Sequence, residues 1–173
     1  MAETPAFLTL RRNRDEATRL ETTIRRVLAV LVALLLVAAL LNIFGQRPES
    51  VTAGSAQAAV KLYAPARLRS GLYYEARFTI TARRDLKDAL LVLAPGWGEG
   101  MTINTIEPSP VGEASRDGKL SFDLGHIRAG TSYILFMQLQ VNPTNVGRRS
   151  QDVALYDGDR FVTSIDRTVT VFP

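Results

Sequence analysis

The chain divides into two parts by its pattern of hydrophobic and polar positions. Residues 27–44 form a run of eighteen residues without a charge, in which Asn42 is the only polar side chain. As an α-helix this run is about 27 Å long, close to the roughly 30 Å of a bilayer's hydrocarbon core. A buried helix of a soluble protein would carry polar residues every turn or two. We therefore predict one transmembrane helix over residues 27–44.

The pattern changes after this run. Residues 45–58 are small and polar without apolar periodicity, which predicts a flexible stalk. From Ala59 to Pro173, short β-type runs alternate with turn signals, which is typical of an all-β antiparallel sandwich. The predicted strands are Val60–Tyr63, Leu72–Ala82, Ala89–Leu93, Met101–Ile106, Gly112–Arg116, Lys119–Leu124, Ser132–Val141, Asp152–Tyr156 and Arg160–Val171.

The arginine distribution predicts the orientation of the helix. Six arginines precede the run, with Arg25 and Arg26 flanking the membrane, whereas only Arg47 and Lys61 follow within about twenty residues. Residues 1–26 are therefore expected to be a basic cytoplasmic tail, and the β-domain of residues 59–173 to lie outside a cell membrane. The tail either sets topology alone or also contacts anionic lipid or a cytoplasmic partner.

A cleaved signal peptide is the alternative interpretation of the same segment. Ala56–Ala58 is a small-x-small sequence of the kind that signal peptidases cleave. Two observations favour an anchor: the apolar run exceeds the 7–15 residues usual for a signal core, and it ends fourteen residues before Ala58.

Composition limits the chemistry. The chain has no cysteine, which excludes disulfides, thiol catalysis and cysteine-ligated metals. An extracytoplasmic domain without disulfides is more typical of bacteria than of animal secreted modules. Residues 45–173 carry fifteen basic and thirteen acidic side chains, a balance that argues against a nucleic-acid partner. The expected partners are the bilayer and a membrane or envelope protein, with a glycan or wall polymer as the alternative.

Four segments carry a resemblance to a known family. They read LYYEARFTITA at 72–82, DGKLSFDLGHIRAG at 117–130, SYILFMQLQVNP at 132–143 and TVTVFP at 168–173. Together they resemble the bacterial immunoglobulin-like repeats of surface proteins, of the DUF11 and CARDB type. The turn at 128–130 lacks the family's proline, and the domain stands as a single copy. The resemblance implies an immunoglobulin-like sandwich of about seven to nine strands with a binding or spacer role.

Trp97 is the only tryptophan, and it lies in the sequence Gly-Trp-Gly-Glu-Gly after Pro95. On an exposed loop, Trp97 with Gly98 and Glu99 would anchor a protein or glycan partner. Turned inward, the indole would close one end of the sandwich. The sequence leaves both interpretations open.

Acidic residues near the last predicted turn are weak metal candidates. Asp157 and Asp159, with Asp152 or Asp166, would offer calcium the oxygen ligands it prefers. The spacing of an EF-hand loop is absent, and an Asp-Gly hairpin turn explains the sequence without metal. We therefore expect no metal and no cofactor.

His126 is the only histidine, with Asp123 close by in the sequence. No Gly-x-Ser-x-Gly motif presents a nucleophile for a Ser-His-Asp triad, so His126 is expected to be structural or merely exposed. The sequence as a whole predicts a non-catalytic single-pass membrane protein that acts as an accessory or scaffold subunit of an envelope complex. The alternatives are a receptor that senses a glycan or calcium, and an envelope enzyme.

Overall fold

The computed structural model describes residues 10–43 and 45–173, with side chains from residue 19 onward. Helix α1 spans Leu10–Leu40 and continues as a turn to Ile43. The predicted tail is thus helical from Leu10, whereas its first nine residues and Phe44 lie outside the described residues. Within α1, Arg19–Leu40 contains a window of mean hydropathy 2.3, none of which is buried. The helix is long and apolar enough to cross a membrane.

The all-β sandwich predicted for residues 59–173 is present, and it begins earlier, at Pro48. Its strands in the described chain are β1 Pro48–Gly54, β2 Ala58–Pro65, β3 Arg67–Arg69, β4 Tyr73–Ala82, β5 Ala89–Leu93, β6 Met101–Glu107, β7 Gly112–Arg116, β8 Lys119–Asp123, β9 Ser132–Val141, β10 Gly147–Ser150, β11 Val153–Asp157, β12 Arg160–Ile165 and β13 Thr168–Phe172. The count exceeds the seven to nine strands expected, because β1, β3 and β10 carry too few apolar residues to show in the pattern and because the last predicted strand is divided in two.

The strands form three sheets. Sheet 1 has the order β1-β2-β4-β9-β6 and sheet 2 the order β12-β11-β5-β8-β7, with antiparallel pairing throughout. Sheet 3 has the order β10-β13-β3, and its β13–β3 pair is parallel. Inward side chains of all three sheets form one hydrophobic core, which includes Phe78, Leu135, Leu91, Phe122 and Val169.

The prediction of a flexible stalk over residues 45–58 is wrong. Residues 48–54 pair along their whole length with β2 as an edge strand of sheet 1. Only Ala53 of this strand is partly buried, so β1 has no apolar alternation that the sequence analysis would recognise as a strand. Ala58, the position considered for signal cleavage, is fully buried at the start of β2.

The last predicted strand, residues 160–171, is two strands in different sheets. The chain leaves sheet 2 after Ile165 and enters sheet 3 at Thr168. Between them Arg167 is only 8% exposed. Its guanidinium donates to Gln151 Oε1 at 3.0 Å and to the carbonyls of Ala64 and Pro65. These bonds hold the crossover in place, because a buried guanidinium without acceptors would be strongly destabilising.

A chain of buried, hydrogen-bonded side chains extends from this crossover into the core. The amide of Gln151 donates to Tyr74 Oη at 3.0 Å, and the Tyr74 hydroxyl lies 2.9 Å from Met101 Sδ. Burial raises the pKa of the Tyr74 phenol and lowers the pKa of Arg167, since the low-dielectric interior disfavours the charged form of each.

Candidate interaction surface

The outer face of sheet 1 carries a row of side chains that crosses all five strands. Strand pairing places Ser50 opposite Tyr63, Tyr63 opposite Arg77, Arg77 opposite Phe136 and Phe136 opposite Glu107. Because side chains alternate between the two faces of a strand, all five project from the face that points away from the core. We call Tyr63, Arg77 and Phe136, the centre of this row, the aromatic row.

Arg77 lies between the two rings of the aromatic row. Its guanidinium carbon is 5.5 Å from the centroid of Tyr63 and 5.0 Å from that of Phe136, within the range of cation–π attraction. Its one side-chain hydrogen bond, to Glu75 Oε1, is 3.3 Å long, and both side chains are nearly half exposed. Packing between the rings therefore orients the guanidinium and leaves donors free for an external acceptor.

The aromatic row is exposed, although its composition is that of a buried surface. Tyr63 and Phe136 are each 38% exposed, and Ile134, two residues before Phe136 on the same face of β9, is 43% exposed. The inward neighbours Leu135 and Met137 are fully buried. The middle of β9, residues 133–137, is therefore apolar on both faces, a pattern typical of a strand covered on both sides. Within residues 45–173, only its inner face is covered.

A shallow cavity of about 270 Å³ lies beside the aromatic row. Ser50, Lys61, Tyr63, Arg77 and Thr79 line it. Lys61 has no ion pair among the side chains that the structure describes. The cavity thus combines two cations and three hydroxyls with no carboxylate in its lining, which favours an acidic group as its occupant.

This arrangement has the chemistry of a binding surface. Tyrosine, arginine and phenylalanine are enriched at protein–protein interfaces, where rigid aromatic area and multiple donors contribute most of the binding energy. Sheet 1 holds these side chains on paired strands, so little conformational freedom remains to be lost on binding.

Trp97 does not belong to an exposed surface. It is fully buried, with its ring centroid 5.3 Å from that of Phe78, so the inward interpretation of the sequence is the one the structure shows. Its Nε1 has no hydrogen-bond partner among the described residues. Gly98 and Glu99 are exposed beside it, but the indole that was expected to anchor a partner is in the core.

The glycines around Trp97 have a packing reason. A Cβ on Gly96 would lie 2.2 Å from the carbonyl oxygen of Ser150, and a Cβ on Gly100 would lie 2.6 Å from Asn145 Cγ. Gly100 also has a positive φ of 69°, which favours glycine. Glycine at positions 96 and 100 is therefore required by tight packing against the segment 145–150.

The candidate calcium ligands engage protein donors. Asp157 Oδ1 accepts the backbone N–H of Asp88 at 3.0 Å, and Asp159 Oδ1 accepts Arg116 Nη2 at 3.1 Å. No group of three or more potential ligands that would hold a metal ion occurs among the described residues. The Asp-Gly sequence instead forms the β11–β12 hairpin, in which Asp157 pairs with Arg160.

His126 and Asp123 do not act together. His126 Nε2 lies 4.0 Å from Asp85 Oδ1, with both side chains more than half exposed. Asp123 Oδ1 instead accepts the backbone N–H of Gly125 at 2.8 Å. The structure therefore shows no hydrogen-bonded arrangement of the kind that activates a nucleophile at this histidine.

The predicted membrane-flanking arginines lie within α1. Arg25 and Arg26 are exposed, and Arg25 Nη2 is 2.6 Å from Glu21 Oε1 one turn earlier. These positions fit a helix that continues from the tail through the apolar segment.

Sequence reasoning missed the aromatic row. The alternation in β4 correctly placed Arg77 on the polar face, but nothing in one strand says which residues of the neighbouring strands stand beside it. The available signal was the unbroken apolar run of residues 133–137 (YILFM) within β9, which exceeds what a strand with one solvated face requires.

Comparisons with known proteins do not assign the chain to a family. No family model and no curated protein matches the chain, so membership of the immunoglobulin-like repeat families is not supported. One of the similar solved structures is the C-terminal domain of Wzt, at 13% identity over 75% of this chain and 81% of that chain, with a TM-score of 0.44. Another is AvmM, which catalyses macrocyclization in alchivemycin A biosynthesis, at 10% identity over 75% of this chain and 92% of that chain, with a TM-score of 0.41. Neither likeness carries an argument about what this chain binds.

Proposed function

We propose that the chain is a non-catalytic, membrane-anchored binding module, an accessory or scaffold subunit that holds a protein partner at the outer face of a bacterial cell membrane. The aromatic row is the observation that carries this proposal. It is an exposed surface of interface-type residues held on paired strands, and nothing else in residues 45–173 covers it.

Helix α1 supports the membrane part of the proposal. The side chains of its apolar half, from Val27 onward, are exposed along the helix, and a surface of that kind is stable in lipid and not in water. Arginines precede this half, including Arg25 and Arg26. By the positive-inside bias, the N-terminus is cytoplasmic and the β-domain is extracytoplasmic.

The charge of the surface defines the partner. Arg77 and Lys61 stand beside Tyr63 in a cavity without a carboxylate. The partner is therefore a protein that presents an acidic side chain next to apolar or aromatic ones, so that the acid enters the cavity and the apolar groups cover Phe136 and Ile134.

Co-purification from membranes tests the proposal. The full-length chain is extracted with a mild detergent and its co-purifying proteins are quantified by mass spectrometry, beside the variant Arg77→Glu. We expect one membrane or envelope protein at near-equal amount with the wild type and at least about tenfold less with Arg77→Glu, since reversing a charge at the centre of an interface costs several kcal/mol.

Matched variants separate interface loss from general damage. Arg84→Glu makes the same charge change at an exposed arginine that follows β4, and Val111→Ala trims an apolar side chain that is 75% exposed elsewhere. Both are expected to retain the partner. Equal loss of the partner in Arg84→Glu, or equal retention in Arg77→Glu, would contradict the role of the aromatic row.

A further inference from the structure

A second cavity lies on the outer face of sheet 2, away from the aromatic row. Its volume is about 250 Å³, somewhat below the roughly 300–1,000 Å³ of pockets for drug-sized ligands. Its floor consists of the small side chains Val92, Ala94, Ala154 and Ser164. Pairing places Ser164 opposite Ala154 and Ala154 opposite Val92, so small residues on three adjacent strands create the depression.

Aromatic and cationic side chains form one wall of this cavity. The rings of Tyr156 and Phe161 meet edge to face, with centroids 5.6 Å apart. The Arg116 guanidinium carbon lies 4.4 Å from the Tyr156 centroid. Hydrogen bonds to the Gly158 carbonyl and to Asp159, both 3.1 Å long, fix Arg116 in this position.

Phe161 supplies the free aromatic surface. It is 54% exposed, whereas Arg116 already covers the ring of Tyr156. An aromatic ring of this kind packs against the C–H groups of a ligand ring and excludes water from one side of it.

The rest of the lining offers hydrogen-bond donors and acceptors together. Asp117, Asp166 and Lys119 are exposed and make no side-chain hydrogen bond to any described residue, and Ser164 adds a hydroxyl. Asp152 is engaged, since its two oxygens accept the backbone N–H of Arg167 at 2.8 Å and the Ser150 hydroxyl at 2.6 Å.

These features favour one class of ligand. The carboxylates Asp117, Asp152 and Asp166 outnumber the cations Arg116 and Lys119, which disfavours an anion. No cluster of three or more ligands that would hold a metal cation occurs among the described residues. A wholly apolar ligand would bury these charges without compensation. A neutral ring with hydroxyls that both donate and accept, and with apolar C–H groups on its faces, satisfies the whole lining.

We propose that this cavity binds a neutral hexose unit of a glycan. The sugar ring packs on Phe161 above Ala154, and its hydroxyls bond to Asp117, Asp166, Lys119 and Ser164. The site is separate from the aromatic row, so one chain is able to hold a protein partner and a glycan at the same time.

Calorimetric titration of the full-length chain tests the site. The protein is held in lipid nanodiscs, because detergents with sugar headgroups would compete. The neutral probes are maltohexaose, cellohexaose and a linear mannohexaose. The charged comparisons are calcium chloride and a hexamer of galacturonic acid. We expect at least one neutral hexasaccharide to bind with a Kd on the order of 1 mM, as befits a shallow site that contacts one ring.

Two variants, each with a matched control, locate that binding. Ala154→Leu fills the floor without removing any polar ligand group and is expected to abolish binding, whereas Ala129→Leu makes the same change on an exposed loop and preserves it. Phe161→Ala is expected to weaken binding about fivefold to tenfold, and Arg160→Ala, at the exposed neighbouring residue, is expected to leave it unchanged.

Three results would overturn the site: no neutral hexasaccharide binds, a charged probe binds in preference, or Ala154→Leu binds as the wild type does. Partner capture by the aromatic row is measured separately and is expected to survive Ala154→Leu. Failure of the glycan site and failure of the protein-binding function are therefore distinguishable.

Discussion

Replacing Trp97 by alanine is predicted to destabilise the β-domain without removing a binding surface. The indole is fully buried and packs against Phe78. Truncating a buried aromatic side chain to alanine typically costs about 3–5 kcal/mol, through lost transfer energy and the cavity left behind. The unpartnered Nε1 offsets part of this cost, because an unsatisfied buried donor is itself unfavourable by about 1–3 kcal/mol. We therefore expect a loss of about 3 kcal/mol.

The expected loss of unfolding free energy corresponds to a lower melting temperature. For about 130 residues, 1 kcal/mol corresponds to roughly 3–5 °C in Tm, so Trp97→Ala is expected to melt about 10 °C lower. Trp97→Phe keeps most of the apolar contact and removes the unpartnered donor, so it is expected to cost less than about 2 kcal/mol. The ordering, wild type above phenylalanine above alanine, is the signature of a core residue.

Urea unfolding of residues 45–173, followed by far-ultraviolet circular dichroism, measures both changes. Because Trp97 is the only tryptophan, its fluorescence gives a second measure of unfolding in the wild type. Its emission is expected to shift to longer wavelength when the domain unfolds. Glu99→Ala is the control on the exposed side of the same loop, expected within about 0.5 kcal/mol of wild type. An alanine variant as stable as the wild type that loses its protein partner would show that Trp97 is the exposed anchor after all.

Three further predictions concern the crossover, the buried phenol and the first strand. Arg167→Met is expected to lower the free energy of unfolding by about 2–4 kcal/mol, because it leaves Gln151 Oε1 and two backbone carbonyls without their donor. Urea unfolding measures this change, and an unchanged free energy would mean that water reaches these acceptors. Burial raises the pKa of Tyr74 above its ordinary value of 10.0. The contribution of the neutral Tyr74 phenol to the free energy of unfolding is therefore complete below pH 10 and falls above it by about 1.4 kcal/mol per pH unit. In unfolding titrations from pH 9 to 11, Tyr74→Phe is expected to flatten this slope. A fragment that begins at residue 59 lacks β1 and exposes the edge of β2, so it is expected to aggregate in sedimentation experiments while residues 45–173 remain monomeric; equal behaviour of the two fragments would show that β1 is dispensable.

Strands with a strong apolar pattern, and the strand that precedes the Asp117-Gly118 turn, were predictable to the residue. Ala89–Leu93, Gly112–Arg116 and Ser132–Val141 have the predicted bounds. The Asp117-Gly118 turn also forms as the sequence indicates, with positive φ at both residues, which is the geometry that an Asp-Gly hairpin requires.

Elements fixed by pairing rather than by pattern were not predictable. Strand β1 is held by hydrogen bonds to β2, and its exposed small and polar residues resemble a linker. The division of residues 160–171 depends on Arg167 reaching Gln151 and two carbonyls of distant segments. A single sequence carries no information about such contacts between segments.

The same limit applies to the candidate sites. Trp97 was recognised as noteworthy, but whether a loop residue turns inward depends on what the loop packs against, here Ser150 and Asn145. Tyr63, Arg77 and Phe136 come from three strands, and their adjacency follows only from the register of sheet 1. Their exposure likewise becomes visible only once the core is assembled.

Photo-crosslinking in intact membranes tests the central claim most directly. A photoreactive phenylalanine analogue replaces Ile134, beside the aromatic row, in the full-length chain, and Val111 in a control chain; both positions are exposed. If the outer face of sheet 1 holds a protein partner, residue 134 yields one discrete adduct of higher mass, Arg77→Glu abolishes it, and residue 111 yields none. Absence of an adduct at residue 134, or the same adduct from both positions, would contradict the claim.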